Sequence, residues 1–357
     1  MAIAACGSSS ADTASADKPK SEEVRAKLDK LVDDGDIIGG EATFLDGSDS
    51  VQVTAGLGNN ETGSKYPSDA HFRTASLTKA FTSSLVLQLV AEGDVDLDAS
   101  IEEYLPGLLH GDGIDAGTIT IRHLLRHQSG LPEVGDGEEP PDPSAVYTPE
   151  ELIDLALDNP GQFEPGSKMR YTNTNYVVAG MLIESVTGES FTDRLTSRIT
   201  EPLGLDDTYL PEPGDTSLAK PHPHGYVSGD GKTRDVTKQE PSALWTSGGM
   251  VSTGADLNRF FTALAKGDVV EAKQLKQMRD TVPMTDVPGV DYGLGLMRLP
   301  VSCDVTVWGQ AGDIPGFQAM IASTADGDRA VSLAMNQSPN EKFGPQHLLK
   351  LLDTAVC

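Results

Sequence analysis

The sequence predicts an α/β (α+β) protein, with one body assembled from both ends of the chain and a mostly α-helical lobe inserted between them. Three observations carry this. Residues 24–90 and 250–357 both mix strand-like alternation with helix-like spacing; residues 94–240 hold helical patches separated by Pro- and Gly-rich loops; and 38% hydrophobic residues over 357 positions suffice for a substantial core. The expected boundaries are a leader and tether at 1–22 and one domain at 23–357, its body formed by 23–93 and 241–357 and its lobe by 94–240.

Residues 1–22 are rich in Ala, Ser, Asp and Lys without periodicity, the composition of a disordered tether. Acidic residues after Ser21 and the spacing of Val24, Leu28 and Leu31 predict a helix over 21–31. Residues 40–56 read as short strands turning at Asp46-Gly47, a hairpin. Ala80, Phe81, Leu85, Val86, Leu89 and Val90 give the next segment a helical stripe that Gly93 ends. Helical patches follow at 121–126, 149–157, 176–186 and 191–199. Residues 133–143, Gly- and Pro-rich among acids, predict a long mobile loop bordering the cleft. A helix over 253–265, strands near 305–307, 319–321 and 331–334, and a helix over 344–355 complete a terminal sheet covered by terminal helices.

The helix after residue 75 opens with Ser76-Leu77-Thr78-Lys79, and Tyr171-Thr172-Asn173 follows 95 residues later. Positions i and i+3 share a helix face, so the Ser76 hydroxyl and Lys79 amine come within hydrogen-bond reach. Serine needs a base to become a nucleophile, and a desolvated lysine supplies one. Ser-x-x-Lys also occurs at Ser15–Lys18 and Ser217–Lys220, but Ser15 lies in the polar leader and Pro221 stops any helix after Lys220.

Net charge −27 argues against a nucleic-acid partner, since no basic stripe is present to displace counterions from phosphates. No window approaches the ~20 apolar residues that a spanning helix needs. Ile3-Ala4-Ala5-Cys6-Gly7 before three serines resembles a bacterial lipoprotein cleavage box, so Cys6 is a candidate lipid anchor; the protein is then expected outside the cytoplasmic membrane, anchored to its outer face or secreted. Cys303 and Cys357 form either a disulfide that pins the terminus of an exported protein or two buried thiols.

From about residue 24 to the end, the chain resembles the serine β-lactamase and D-alanyl-D-alanine-peptidase superfamily, especially its Streptomyces carboxypeptidase and class C β-lactamase branch. The resemblance rests on Phe72 to Lys79, the run His123-Leu124-Leu125-Arg126-His127-Gln128-Ser129-Gly130-Leu131-Pro132, Phe163 to Gly166, Tyr171 to Tyr176, Leu244 to Met250 and Tyr292 to Gly295. It implies an antiparallel sheet covered by helices, with Ser76 as acylated nucleophile, Lys79 as its base and Tyr171 as proton carrier to the leaving group. It further implies that Asn173 binds the acyl-side amide, that the Ser76 and Asp313 backbone N–H groups form an oxyanion hole, that Cys303 pairs with Cys357, and that no cofactor is used.

One motif departs from the family. Where Lys-Thr-Gly or His-x-Gly is usual, this chain has Gln310-Ala311-Gly312. Gln310 cannot carry a positive charge, and Ala311 lacks the hydroxyl that would bind a C-terminal carboxylate. Arg298, beside Met297 where the carboxypeptidase branch keeps a basic residue, is the candidate replacement, although strand neighbours face opposite ways.

The function expected is a D-Ala-D-Ala carboxypeptidase-like, penicillin-binding hydrolase acting as a monomer on peptidoglycan stem peptides. The rivals are an esterase, amidase or β-lactamase of the same fold taking small esters or β-lactams, and a penicillin or peptidoglycan sensor without turnover. Trp245 either lines the cleft or fills core. Met169, Met181 and Met250 read as core. The pairs His123/His127 and His222/His224 read as structural, with no metal site expected.

Overall fold

The computed structural model describes residues 17–136, 142–229, 231–285, 287–338, 340 and 342–357. Cys6, the Ser15–Lys18 copy's serine and the central part of the 133–143 loop lie outside the described residues.

Among the described residues, nine strands form one antiparallel sheet. In chain order they are β1 (Gly39–Asp46), β2 (Asp49–Asn59), β3 (Ser64–Lys65), β4 (Val282–Pro283), β5 (Asp291–Tyr292), β6 (Met297–Leu299), β7 (Val307–Ile314), β8 (Phe317–Thr324) and β9 (Arg329–Met335). Their spatial order is β3-β2-β1-β9-β8-β7-β6-β5-β4. β1 lies against β9 from Gly40–Met335 to Asp46–Arg329, so the two ends of the chain are joined by one ladder. The hairpin between β1 and β2 turns at Gly47 in the left-handed region, as Asp46-Gly47 predicted.

Both faces of the sheet are covered. Helices α1 (Asp17–Asp33) and α5 (Pro345–Val356) pack Val24, Leu28, Leu348 and Leu352 with Met320 and Leu333 on one side. On the other, α2 (Thr78–Glu92) and α4 (Gly254–Lys266) bury Phe81, Leu257 and Phe260 with Ala319 and Ile321. β8 is buried along its whole length because alternate residues serve the two cores. α2 is buried on every side from Thr78 to Leu87, its polar residues included; Phe81 stacks on Phe260 at 3.7 Å, and α3 (Thr174–Thr187) also packs against it. Cys303 and Cys357 are disulfide-bonded, tying the end of α5 to the β6–β7 connection.

Several boundaries differ from those predicted. α1 begins at Asp17, inside the stretch read as tether; Pro19 is tolerated there because the first N–H groups of a helix have no intrahelical acceptor. A hairpin of Tyr226–Gly229 with Lys232–Asp235 lies in the segment expected to be α-helical, and Tyr226 bridges to Gln337 of the body. The helix Ala272–Met278 and the two-residue strands β3 to β5 were also missed, because elements this short complete too little of a period to be seen.

Glu41 on β1 is 1% exposed, accepts from Gln52 Nε2 at 3.3 Å and has its Oε1 without a partner among the described residues. Burial, and secondarily Asp69, raise its pKa to about 8. Its carboxyl is therefore protonated when folded but ionised when unfolded between about pH 4.5 and 8, so its contribution to stability falls as pH rises across that window. Thermal melts from pH 5 to pH 8.5 should show wild type losing stability relative to Glu41→Gln by up to roughly 1.4 kcal/mol per pH unit; parallel curves would refute this assignment.

Candidate active site

The site is built where α2, the start of α3 and the sheet strand β7 meet. Ala75, at φ +49, turns the chain so that a 3₁₀ turn, Ala75–Leu77, leads into α2 with Ser76 at its mouth. Thr78 Oγ1 donates to the Ala75 carbonyl at 2.8 Å, and Thr74 Oγ1 donates to that of Met250 at 3.0 Å, fixing this turn to the segment after Ser247.

Lys79 is fully buried, and its Nζ has three polar neighbours: Ser76 Oγ at 3.1 Å, Asn173 Oδ1 at 2.7 Å and the Ser247 carbonyl at 2.7 Å. The last two can only accept, so they take two N–H bonds. A neutral amine has two such hydrogens and one lone pair, and the lone pair then faces the serine hydroxyl. Burial drives the Lys79 pKa down to about 7, against the opposing pull of Glu133. The pair is thus poised for Ser76 to give its proton to Lys79 near neutrality.

Tyr171 is half-buried and lines the cleft with Ser76 and Asn173. Its ring lies 4.8 Å from Lys79 Nζ. Desolvation and Tyr292 raise its pKa well above 10, against a hydrogen bond to Ser76, so it is a neutral phenol able to donate to a departing atom.

Across the cleft, β7 brings Gly312 against the nucleophile. A Cβ there would lie 2.6 Å from the Ser76 amide nitrogen, a close approach that requires glycine. Ser76 and Asp313 both line a cavity of about 290 Å³ that continues between Met284, Val287, Met297, Leu299 and Leu348. This places the two residues expected to give oxyanion N–H groups on one wall, with an apolar chamber beyond them. The Asp313 side chain is exposed, its pKa raised by partial desolvation.

Three candidates take other places. Gln310 is fully buried, donating to Tyr292 Oη at 3.3 Å and the Gly295 carbonyl at 3.1 Å, so it braces β7 from behind and does not meet substrate. Arg298 points out of the cleft and pairs with Asp291, whereas Met297 lines the cavity, in keeping with strand alternation. The Trp245 ring packs against Phe191 in the core; its segment serves the site through the Ser247 carbonyl.

Two groups were missed. Glu133, at the start of the loop expected to border the cleft, accepts a hydrogen bond from the Asn173 N–H, and burial raises its pKa against the pull of that bond and Lys79. His127 was read as helix packing, but its ring stacks on Tyr171 at 4.1 Å. Glu133 was detectable only as the acid nearest the motif Tyr171-Thr172-Asn173 in space, which spacing along the chain does not reveal. His123 Nδ1 accepts from the Thr120 N–H, and His224 lies between Asn59 and Asp235. Among the described residues, no three His, Cys, Asp or Glu side chains cluster as a metal site would need, and no helix is long and apolar enough to cross a membrane.

The family model described as Beta-lactamase matches residues 24–355. Penicillin-binding protein 4 of Amycolatopsis lactamdurans is 30% identical over 225 residues, 61% of this chain and 57% of that protein. Penicillin-binding protein 4* of Bacillus subtilis is 25% identical over 292 residues, 78% and 63% respectively. The chain thus spans about three fifths of the length of these relatives. Among solved structures, a D-stereospecific amidohydrolase from Streptomyces sp. superposes with TM-score 0.85 at 32% identity, covering 94% of this chain and 98% of that one. The D-amino acid amidase from Ochrobactrum anthropi SV3, complexed with L-phenylalanine, gives TM-score 0.84 at 28% identity over 95% and 98%.

Because Lys79 must be neutral to accept the serine proton, kcat/KM should rise with pH through about 7 and level off above it. Lys79→Met should abolish that limb and lower kcat at least ~10³-fold, as should Ser76→Ala, while Arg298→Ala should leave turnover within about twofold. A pH-rate profile without an acid limb near neutrality would count against Lys79 as the base.

Proposed function

The chain belongs to the beta-lactamase family of serine hydrolases, and from that premise we propose that it is an amidase that acylates Ser76 with D-amino acid amides bearing a free α-ammonium group. The observation that carries this reading is the charge pattern of the cleft. On the leaving-group side, Ala311 offers no hydroxyl, Gln310 is turned away into the core and Arg298 is engaged outside, so none of the three gives a terminal carboxylate a cation. Beside Asn173, which lines the cavity, the buried Glu133 carboxyl accepts the Asn173 N–H, and in this reading its remaining acceptor capacity takes the ammonium. The cavity's Met, Val and Leu lining suits a bulky apolar substituent. The similarity to a D-stereospecific amidohydrolase and a D-amino acid amidase supports both the amide bond and the D configuration.

In this reading the neutral Lys79 takes the Ser76 proton as Oγ attacks the amide carbonyl. The backbone N–H groups of Ser76 and Asp313 hold the oxyanion, and the Tyr171 phenol delivers a proton to the departing nitrogen. Ammonia leaves, and water then hydrolyses the ester on Ser76 by the reverse proton path. The disulfide between Cys303 and Cys357 supports placing the enzyme outside the cytoplasm, with Cys6 as the proposed lipid anchor. The second reading, D-Ala-D-Ala carboxypeptidase or β-lactam binding, is favoured by the penicillin-binding proteins among the relatives.

Steady-state rates on D-phenylalanine amide, its L enantiomer, its N-acetyl derivative and a D-Ala-D-Ala peptide separate these readings. The D-amide should be turned over at least tenfold faster than the L form. A charge-assisted hydrogen bond contributes about 1.5–3 kcal/mol, so N-acetylation or Glu133→Gln should each raise KM roughly 10- to 100-fold, and together little more than either alone. Faster release of D-alanine from the peptide would overturn the amidase reading.

A further inference from the structure

We propose that His127 is a positioning residue for the acyl-transfer reaction: it holds Tyr171 at Ser76 by pinning the backbone on both sides of the tyrosine and by supporting its ring. This rests on the serine acyl-transfer reading of the site, though not on the identity of the leaving group.

The pinning is explicit. The His127 carbonyl accepts the Arg170 N–H at 2.9 Å, and its Nδ1 accepts the Thr172 N–H at 3.2 Å. Residues 170 and 172 flank Tyr171, so both peptide neighbours of the proton carrier are tied to one residue. The imidazole lies 4.1 Å from the Tyr171 ring at 30°, a stacked contact on the ring that faces the nucleophile.

The same geometry fixes the tautomer. A backbone N–H can only donate, so Nδ1 is unprotonated; Asn175 Nδ2, at 3.2 Å, is a second donor to it. Asn175 is itself held, giving its other hydrogen to Thr172 Oγ1 at 2.6 Å and accepting from Ser129 Oγ at 2.6 Å. The neutral ring therefore carries its proton on Nε2, which is buried without a hydrogen-bond partner among the described residues and faces an aromatic enclosure: Tyr292 lies edge-on at 4.8 Å and Tyr176 at 5.2 Å. Protonating Nδ1 would set a third N–H against two donors, beside Lys79. The groups around the ring, Lys79, Tyr171, Tyr176 and Tyr292, hold no carboxylate to stabilise an imidazolium. A histidine used only for packing would not need this combination of a left-handed backbone (φ +58), two donors on one nitrogen and an unpartnered second nitrogen.

Two substitutions separate the ring from the acceptor. His127→Asn suits the left-handed backbone and keeps an acceptor near the Thr172 N–H but removes the plate; His127→Phe keeps the plate and removes the acceptor. On any amide or ester that wild type turns over, each should lower kcat 10- to 100-fold with KM within about threefold. In a double-mutant cycle with Tyr171→Phe, either change should add less than about threefold to the loss already caused by Tyr171→Phe. Independent, multiplying losses, or a lower melting temperature with unchanged kcat, would overturn the proposal. If Tyr171→Phe alone leaves kcat intact, the acyl-transfer role of Tyr171 fails instead. In ¹⁵N-histidine-labelled wild type, one imidazole should remain the Nε2–H tautomer from pH 5.5 to 8.5; the absence of such a ring would overturn the proposal even if no variant folds.

Discussion

A single buried amine organises this protein. Lys79 lies in the core-facing first turn of α2, and its desolvation is tolerable only because Asn173 and the Ser247 carbonyl accept its two hydrogens. Those acceptors come from chain segments 94 and 168 residues away, so the site exists only when the body and the inserted helical region are packed together. Losing either acceptor would leave a buried donor unpaired, a cost of order 1–3 kcal/mol, besides freeing the amine to turn from Ser76. The same burial that threatens stability lowers the pKa to the range in which the amine can act as a base. Stability and chemistry meet here in one group.

The sheet contributes precision. β7 must approach the start of α2 so closely that Gly312 has its absent Cβ against the Ser76 amide and the Thr74 carbonyl. Gln310, two residues earlier and on the same face, reaches the Gly295 carbonyl, and Gly295 in turn lies so close to α2 that a Cβ there would come within 2.9 Å of the Lys79 carbonyl. The strand is thus keyed to α2 at two levels, once at the nucleophile and once at the base. Alternation sends Ala311 and Asp313 to the cleft wall without disturbing that register.

Much of this was legible in the sequence, for identifiable reasons. Ser76 and Lys79 sit three residues apart where a 3₁₀ turn leads into an apolar helix, a local relation that spacing along the chain exposes. β8 and β9 were visible because their alternation is long; β4, β5 and β6 span only two or three residues and leave no pattern. Residue spacing left a thiol and a disulfide reading of Cys303 and Cys357 open; the resemblance implied the pair, and their placement in space forms it. Glu133 and His127 were hidden for another reason. Each acts through a contact across 40 residues or more, Glu133 with Asn173 and His127 with the residues flanking Tyr171, and no spacing rule links such positions. Arg298 misled because its neighbour Met297, not Arg298 itself, occupies the cleft side of β6.

The change from a basic residue to Gln310 has an electrostatic consequence for the whole cleft. A cation at that position would stand in the same low-dielectric wall as Lys79 and would be costly to bury unless a substrate carboxylate came to pair with it. With a neutral amide there, the wall is complete in the empty enzyme: Gln310 Nε2 finds Tyr292 Oη and the Gly295 carbonyl, and its Oε1 accepts the Ala311 N–H at 3.0 Å. Glu133, beside Asn173, is a buried carboxyl whose pKa burial raises against the pull of Asn173 and Lys79, and on the amidase reading a substrate ammonium would lower it further. On the proposed amidase reading, a cleft arranged this way would gain from binding an ammonium and lose from binding a carboxylate, the reverse of an enzyme that grips a free C-terminus.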